Sequence, residues 1–311
     1  MKKSKNYLIT GITGFVGINI LKKYINKKNI KIFYTYRNKN LPIKGNNTFG
    51  IKINLENINE LDKLKDILKK IDIIIHCANL AHNKYSKRKI ELINYFASTY
   101  LAKLAKNYNV KKFIFLSTAK INMNYDKTIN NENDISYNIK NDFYTYIKYK
   151  TEKKLINIFK NSNVNWIILR PALLYGKYVK GNFEKLQKLT RLPFLVPLPF
   201  LKAVNKKSLC SIKNLIDSID KILSVETKNN TFLICDNTQY SLKDILTQIY
   251  RKKNKKIYLF SLNLIWIRLF FILLNKKNIY DSMFSTMILS NSKIKNNLNI
   301  KLNHNLYNTF F

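Results

Sequence analysis

KNYLITGITGFVG, from Lys5 to Gly17, is the stretch that decides the fold. Asn6 to Thr10 has the length and composition of a short buried strand. Gly11, Gly14 and Gly17 follow at the spacing G-x-x-G-x-x-G. Beyond them Val16, Ile20, Leu21, Tyr24 and Ile25 recur every three to four residues, which predicts a helix. Strand, glycine turn and helix in this order predict a binding site for a dinucleotide. Gly11 permits the tight turn, Gly14 lets the backbone approach a pyrophosphate, and Gly17 lets the helix pack close to the strand. The helix N-terminus lies at this loop. Its free N–H groups and partial positive charge would face the anion.

The same alternation continues outward. Ile30 to Tyr36 reads as a second strand and Phe49 to Asn54 as a third. Ile58 to Leu68 has helical periodicity. Asp72 to Cys77 is a nearly continuous apolar run, as expected of a parallel strand covered on both faces. A long helix over Ile90 to Asn107, a strand over Lys112 to Leu116 and another over Val164 to Arg170 follow. The repeated alternation predicts an α/β chain with a Rossmann-type, doubly wound parallel sheet. Residues 1–175 are assigned to this dinucleotide-binding domain. Residues 176–311 are assigned mainly to a smaller C-terminal substrate lobe, with some segments returning to the first domain. Asp217 to Leu223 and Leu242 to Tyr250 read as helices of that lobe.

The chain has 311 residues, 46% of them hydrophobic, enough to bury a large core. Its formal charge is +38, but only six of its 56 basic residues are Arg. The Lys residues are scattered among Asn and Ile. A phosphate-reading stripe would use more Arg, whose planar fork binds phosphate bidentately. Nucleic acid is therefore not expected as a partner, although the charge should attract an anionic substrate. Cys77, Cys210 and Cys235 are few and far apart, which points to a reducing cytoplasm. With His76, His82 and His304 they form no metal-ligand spacing, and no metal is expected. MKKSK at the N-terminus is basic, but glycines break the apolar run behind it, and no signal peptide is read. Ile257 to Leu274 is strongly apolar. An Arg within it, Arg268, argues against a span. A buried, lobe-packing helix is the expectation, with peripheral membrane contact through 257–274 as the alternative.

The chemistry sits in NDFYTYIKYKTE, Asn141 to Glu152. Tyr144 and Lys148 are four apart and share one helix face. Oxidising or reducing a carbinol carbon moves a hydride at carbon and a proton at oxygen. Tyrosine, with an ordinary pKa of about 10, is a poor base. A nearby ammonium, with the positive nicotinamide, stabilises the phenolate. Thr118, after the strand at Lys112 to Leu116, would orient the substrate oxygen. Tyr146 and Lys150 form a second pair at the same spacing.

Thr10-Gly11-x-x-Gly14-Phe15-Val16-Gly17, with Asp142, Tyr144, Lys148 and Glu152 in phase, resembles the extended short-chain dehydrogenases/reductases, the NAD-dependent epimerase/dehydratase family. Phe143 and Ile147 depart from its D-P-Y-x-x-S-K pattern. RPALLYG, Arg170 to Gly176, is similar to the family's R-P-x-x-x-Y-G segment. VKGNF (Val179 to Phe183) and NKKSL (Asn205 to Leu209) resemble two substrate-binding loops of a subgroup. The resemblance implies a nucleotide-sugar enzyme working at C4 of a hexose, for surface polysaccharide precursors. It implies a cofactor held by the glycine loop, Arg37, Asn54, Leu55, Ala78, Asn94, Tyr144, Lys148 and Pro171. It implies a UDP-sugar held by Lys120, Asn182 and Lys207, with His76 and His82 structural. A homodimer is compatible with it. The carboxylate expected on the NAD ribose near strand two is missing. Arg37 stands there and could pair with a 2′-phosphate, so NADP is somewhat favoured over NAD. The 4,6-dehydratases carry an Asp-Glu pair where this chain has Ala119 and Lys120, which disfavours that reaction. A 4-epimerase and a 4-keto reductase remain, the subgroup loops and Arg37 fitting the reductase somewhat better, with a catalytically silent dinucleotide-binding scaffold or redox sensor as the rival from another class.

Overall fold

Tyr7, Leu8 and Ile9 make β1 (Lys5–Thr10) apolar on both faces, and the strand runs through the middle of a sheet. Parallel pairing joins it to β2 (Ile30–Tyr36) on one side and β4 (Ile73–His76) on the other. β3 (Thr48–Lys52) lies outside β2, and β5 (Lys112–Leu116) and β6 (Asn165–Pro171) lie beyond β4, all parallel. With β9 (Asn230–Ile234) the order is β3-β2-β1-β4-β5-β6-β9. This computed structural model describes residues 4–38, 45–81, 85–124, 127–177, 179, 182–189, 205–275 and 277–309. The predicted α/β, doubly wound sheet is therefore present, with strand ends shifted by a residue or two.

Strand order reverses at β1, between β2 and β4. Such a switch point opens a crevice at the carboxyl ends of the strands, where ligands of α/β sheets bind. The register lines up Thr10 with His76, and His76 with Phe115, so the loops after β1, β4 and β5 leave the sheet side by side. One face of the sheet is packed by Leu8, Ile74, Phe113 and Ile168 against Leu101, Ala105, Leu155 and Phe159.

Two helices between these strands differ from expectation. Ile58–Leu64 is a 3₁₀ helix, capped by the Asn57 side chain, and only α2 (Lys65–Leu68) continues it as α. The long helix starts earlier, at α3 (Lys87–Glu91) under a Ser86 cap, and passes through a π turn at Leu92–Ala97 into α4 (Ser98–Asn107). α1 (Phe15–Tyr24) follows the glycine loop as the periodicity predicts, and α5 (Phe143–Phe159) is the helix that carries Tyr144 and Lys148.

The chain divides into two compact units. The first comprises Met1–Ile121, Ile135–Pro171 and Ser218–Phe232. The second comprises Asn122–Asp134, Ala172–Asp217 and Leu233–Phe311. α7 (Ile212–Ser224), read from sequence as a lobe helix over Asp217 to Leu223, runs from the second unit into the first. The second unit holds a small sheet of β7 (Leu173–Tyr175), β8 (Lys207–Ser211) and β10 (Gln239–Tyr240). NKKSL is thus largely strand β8 and not a loop. Asp236 ties this unit internally: it accepts from Tyr175 Oη (2.5 Å), the Ser211 backbone N–H (2.8 Å) and Asn214 Nδ2 (2.7 Å). The remaining helices are α6 (Asn182–Leu189), α8 (Leu242–Lys252), α9 (Leu264–Leu273), α10 (Lys277–Phe284), α11 (Ser292–Leu298) and α12 (Leu306–Thr309). Leu242, Leu246 and Tyr250 of α8 pack with Leu186, Met283 and Phe284.

The apolar stretch 257–274 does not form the expected buried helix. Within it α9 is ten residues long, and its only buried side chain is Ile267.

Candidate active site

Gly11 has φ +70°, and a Cβ there would lie 2.5 Å from the Ala78 backbone N. Only glycine meets both demands. The expected role of Gly17 changes: its Cβ would meet Gly11 O at 2.4 Å and Ile12 Cα at 2.7 Å. Gly17 lets α1 close on its own turn, not on the strand. A Cβ at exposed Gly14 would meet one atom within reach, Gly11 O at 3.1 Å. Gly14, Phe15 and Val16 lead into α1 with no side-chain cap. The Gly14 N–H donates to Gly11 O at 2.9 Å and closes the turn, so the N–H groups of Phe15 and Val16 remain for an anion.

The loop after β4 is fixed from below. Thr10 Oγ1 accepts from the Ala78 N–H at 3.2 Å and also meets His76 Nδ1 at 2.6 Å. His76 Nε2 meets Ser98 Oγ at 2.8 Å, and burial pushes the ring down to about 3. A neutral, doubly bonded imidazole joins β1, β4 and α4 and has no proton to trade near neutral pH. Asn94, in the π turn, grips Leu80 with both ends of its amide: Oδ1 accepts from Leu80 N (2.9 Å) and Nδ2 donates to Leu80 O (3.1 Å). It positions the loop. His82 lies outside the described residues.

α5 brings the reactive groups to that loop. Tyr144 and Lys148 are both buried, and so is Glu152 one turn further on. Glu152 takes a bidentate bond from Arg170, with Nε at 3.1 Å and Nη2 at 2.5 Å. This ion pair locks the helix to β6 and so fixes the phase of Tyr144. In the second tyrosine–lysine pair, Lys150 is directed to Glu91 (3.3 Å) and over the Tyr95 ring (4.4 Å).

Lys148 Nζ donates to Leu116 O at 2.7 Å and lies 3.8 Å from the centre of the Phe115 ring. Burial pushes its ammonium down to about 7. The Tyr144 hydroxyl accepts from Asn79 Nδ2 at 3.0 Å. Burial raises this phenol to about 12, and the Asn79 bond pulls against that rise. Asn79 was not among the residues singled out in sequence. Its only signal was a polar side chain directly after a buried strand and Ala78.

Two buried polar atoms here have no partner among the described residues, Asn79 Oδ1 and Ser117 Oγ. Thr118, after β5, is half-buried, and its Oγ1 accepts from the Lys120 N–H. Pro171 ends β6. Glycine loop, Ala78, Asn79, Thr118, Tyr144 and Pro171 thus all stand at the carboxyl ends of β1, β4, β5 and β6 or on α5. Helix N-terminus, close backbone approach and unpaired polar atoms suit a dinucleotide.

At the end of β2, Arg37 pairs with Glu56 at 2.9 Å, and Lys89 reaches the same carboxylate at 2.7 Å. Arg37, Lys52, Asn54, Glu60 and Lys63 line a cavity of about 430 Å³. Asn54 donates its N–H to Glu60 (3.0 Å), and its Oδ1 accepts from Glu56 N (3.2 Å). Leu55 packs on the sheet core. Lys120 is exposed and paired with Asp142 at 3.0 Å. In the second unit, Asn182 begins α6 and Lys207 begins β8, where burial lowers its ammonium to about 8. Lys180 and Gly181 lie outside the described residues. Among the described residues no group of His, Cys, Asp and Glu is placed to hold a metal ion.

Residues 7–192 match the family described as the NAD dependent epimerase/dehydratase family. The chain belongs to it. The UDP-glucose 4-epimerase of Vibrio cholerae is 30% identical over 313 residues, covering 96% of this chain and 92% of that protein. A dTDP-D-glucose 4,6-dehydratase of Dictyostelium discoideum is 31% identical, over 54% of this chain and 44% of its own length. Among solved structures, the UDP-glucuronic acid 4-epimerase from Bacillus cereus in complex with NAD superposes with TM-score 0.76 at 17% identity, over 98% of this chain and 96% of that one. The Bordetella bronchiseptica enzyme WbmG in complex with NAD and UDP gives 0.78 at 15% identity, over 99% and 92%. These two likenesses show the fold.

Proposed function

We propose that this chain is a nucleotide-sugar 4-epimerase that exchanges hydride and proton at C4 of a UDP-hexose, in the cytoplasm, for surface polysaccharide precursors. The observation that carries this reading is the buried Tyr144 hydroxyl, held by Asn79 beside the glycine loop. The Vibrio cholerae epimerase, alike over nearly the whole chain, supports it. A bound nicotinamide supplies the hydride acceptor and donor. Tyr144 takes the 4-hydroxyl proton as the carbinol becomes a ketone and returns it as the opposite face is reduced. Asn79 holds the phenolate oxygen, and Thr118 orients the sugar oxygen. Lys148 adds positive charge within the same buried region. Asn182 and Lys207 would hold the nucleotide diphosphate. Ala119 and Lys120 offer no acid–base pair for C5 and C6, which speaks against dehydration.

A 4-keto reductase using NADPH is the second reading. It is favoured by Arg37, Lys52 and Lys63 around the cavity at the ends of β2 and β3. Glu56 and Glu60 beside those cations weaken it. Incubating the protein with UDP-glucose, UDP-galactose and their N-acetylated and uronic forms separates the readings. Interconversion of 4-epimers with no net use of cofactor supports the epimerase. Consumption of NADPH with 4-keto sugars alone supports the reductase. Neither activity, with dinucleotide still bound, leaves a silent scaffold.

A further inference from the structure

Helix α9 presents its apolar side chains to water. Leu264, Ile267 and Phe271, spaced as one helix face, are turned inward: the Phe271 ring lies 6.1 Å from that of Tyr280, and Tyr280 Oη donates to Leu264 O at 3.4 Å. The opposite face is exposed among the described residues. Leu273 is 85% exposed, Trp266 65%, Ile265 64% and Phe270 59%, with Leu269 and Ile272 between them. Contiguous exposed apolar surface of this extent marks an interaction site.

The charges around it say what covers it. From Ile245 to Tyr280 the chain has eight basic residues and no acidic one. Arg251, Lys252, Lys255 and Lys256, all exposed, immediately precede the apolar stretch. Arg268, the single charge on α9, is exposed as well. A second copy is a poor cover, because a two-fold contact would set this basic run against itself. A span is excluded for α9: ten residues rise about 15 Å, against a hydrocarbon core of about 30 Å. Among the described residues no helix is long and apolar enough to cross a membrane.

We propose that α9 lies in the headgroup layer of an anionic membrane, with Leu269, Phe270 and Leu273 toward the acyl chains. Trp266 and Tyr258 sit at headgroup level, where amphipathic rings settle. The run at 251–256 contacts anionic headgroups, and Arg268 reaches back to them along its aliphatic stem. The chain is thereby held where acidic lipids are richest.

Co-sedimentation with vesicles tests this, using phosphatidylcholine alone and phosphatidylcholine mixed with phosphatidylglycerol. Binding to the mixed vesicles should exceed binding to neutral ones by more than about tenfold, as several basic groups near an anionic surface require. The variant Leu269→Glu/Phe270→Glu/Leu273→Glu should lose that binding and keep the wild-type melting curve. Unchanged binding by the variant would assign the attraction to scattered lysines and overturn the proposal. A wild-type dimer that the variant converts to monomer, with no vesicle binding, would give the face to a second copy and overturn it too. If the variant does not fold, a Trp166→Phe protein decides. The emission of its remaining Trp266 should shift to the blue on adding mixed vesicles, and an unshifted spectrum overturns the proposal.

Discussion

Helices α5 and α9 invert each other. α5 buries Lys148 and Glu152, while α9 exposes Ile265, Trp266, Phe270 and Leu273. Each pattern opposes the usual partition of side chains. A buried charge persists only where it is paired or hydrogen-bonded. On α5 the partners are all within the chain: Arg170 for Glu152, and Leu116 O with the Phe115 ring for Lys148. On α9 nothing among the described residues covers the apolar face. Internal completeness on α5 marks a preorganised site, and external incompleteness on α9 marks a surface made for something else.

The largest expected effect breaks the α5 side of this contrast. Glu152→Gln leaves Arg170 buried without its counter-charge, which should cost about 3–5 kcal/mol. Chemical denaturation measures it. A loss under one kcal/mol would mean that the ion pair does not hold the helix.

Asn79→Ala should have a smaller effect, on activity. A hydrogen bond to a charged group is worth about 1.5–3 kcal/mol, so turnover near neutral pH should fall roughly tenfold to a hundredfold. The sign of the pH effect follows from the bond. Asn79 lowers the Tyr144 pKa, so its removal raises that pKa, and the acid limb of the pH–rate profile should move to higher pH. A loss of turnover with an unmoved limb would make Asn79 a merely structural support.

The smallest effect is expected on α9. Leu273→Ser should change the melting stability by no more than about 0.5 kcal/mol, as for other exposed positions. A core leucine would cost several times more. A large loss would place Leu273 in a core and remove the contrast with α5.

Much of this was legible in the sequence. The glycine spacing and the apolar runs located β1, β2 and β5, and the phase of Asp142 and Glu152 is what points to Tyr144 as the candidate. What escaped reading depends on neighbours brought by the fold. Periodicity finds the apolar face of α9 but not whether another element covers it. Lys148 four residues from Tyr144 fixes a shared helix face, not the carbonyl to which the ammonium turns. The π turn at Asn94 has the same residue types as an ordinary helix. Asn79 acquires its partner only when the loop after β4 meets α5, 65 residues later.

The central claim is that the buried hydroxyl of Tyr144 carries the proton in C4 chemistry. Steady-state turnover of Tyr144→Phe and Tyr146→Phe, on the best substrate from the UDP-hexose panel, tests it most directly. Loss of general acid–base help should lower turnover of Tyr144→Phe by about 10²–10⁴ with dinucleotide affinity nearly unchanged, while Tyr146→Phe stays close to wild type. An inactive Tyr146→Phe beside an active Tyr144→Phe would contradict the account, as would full activity in both.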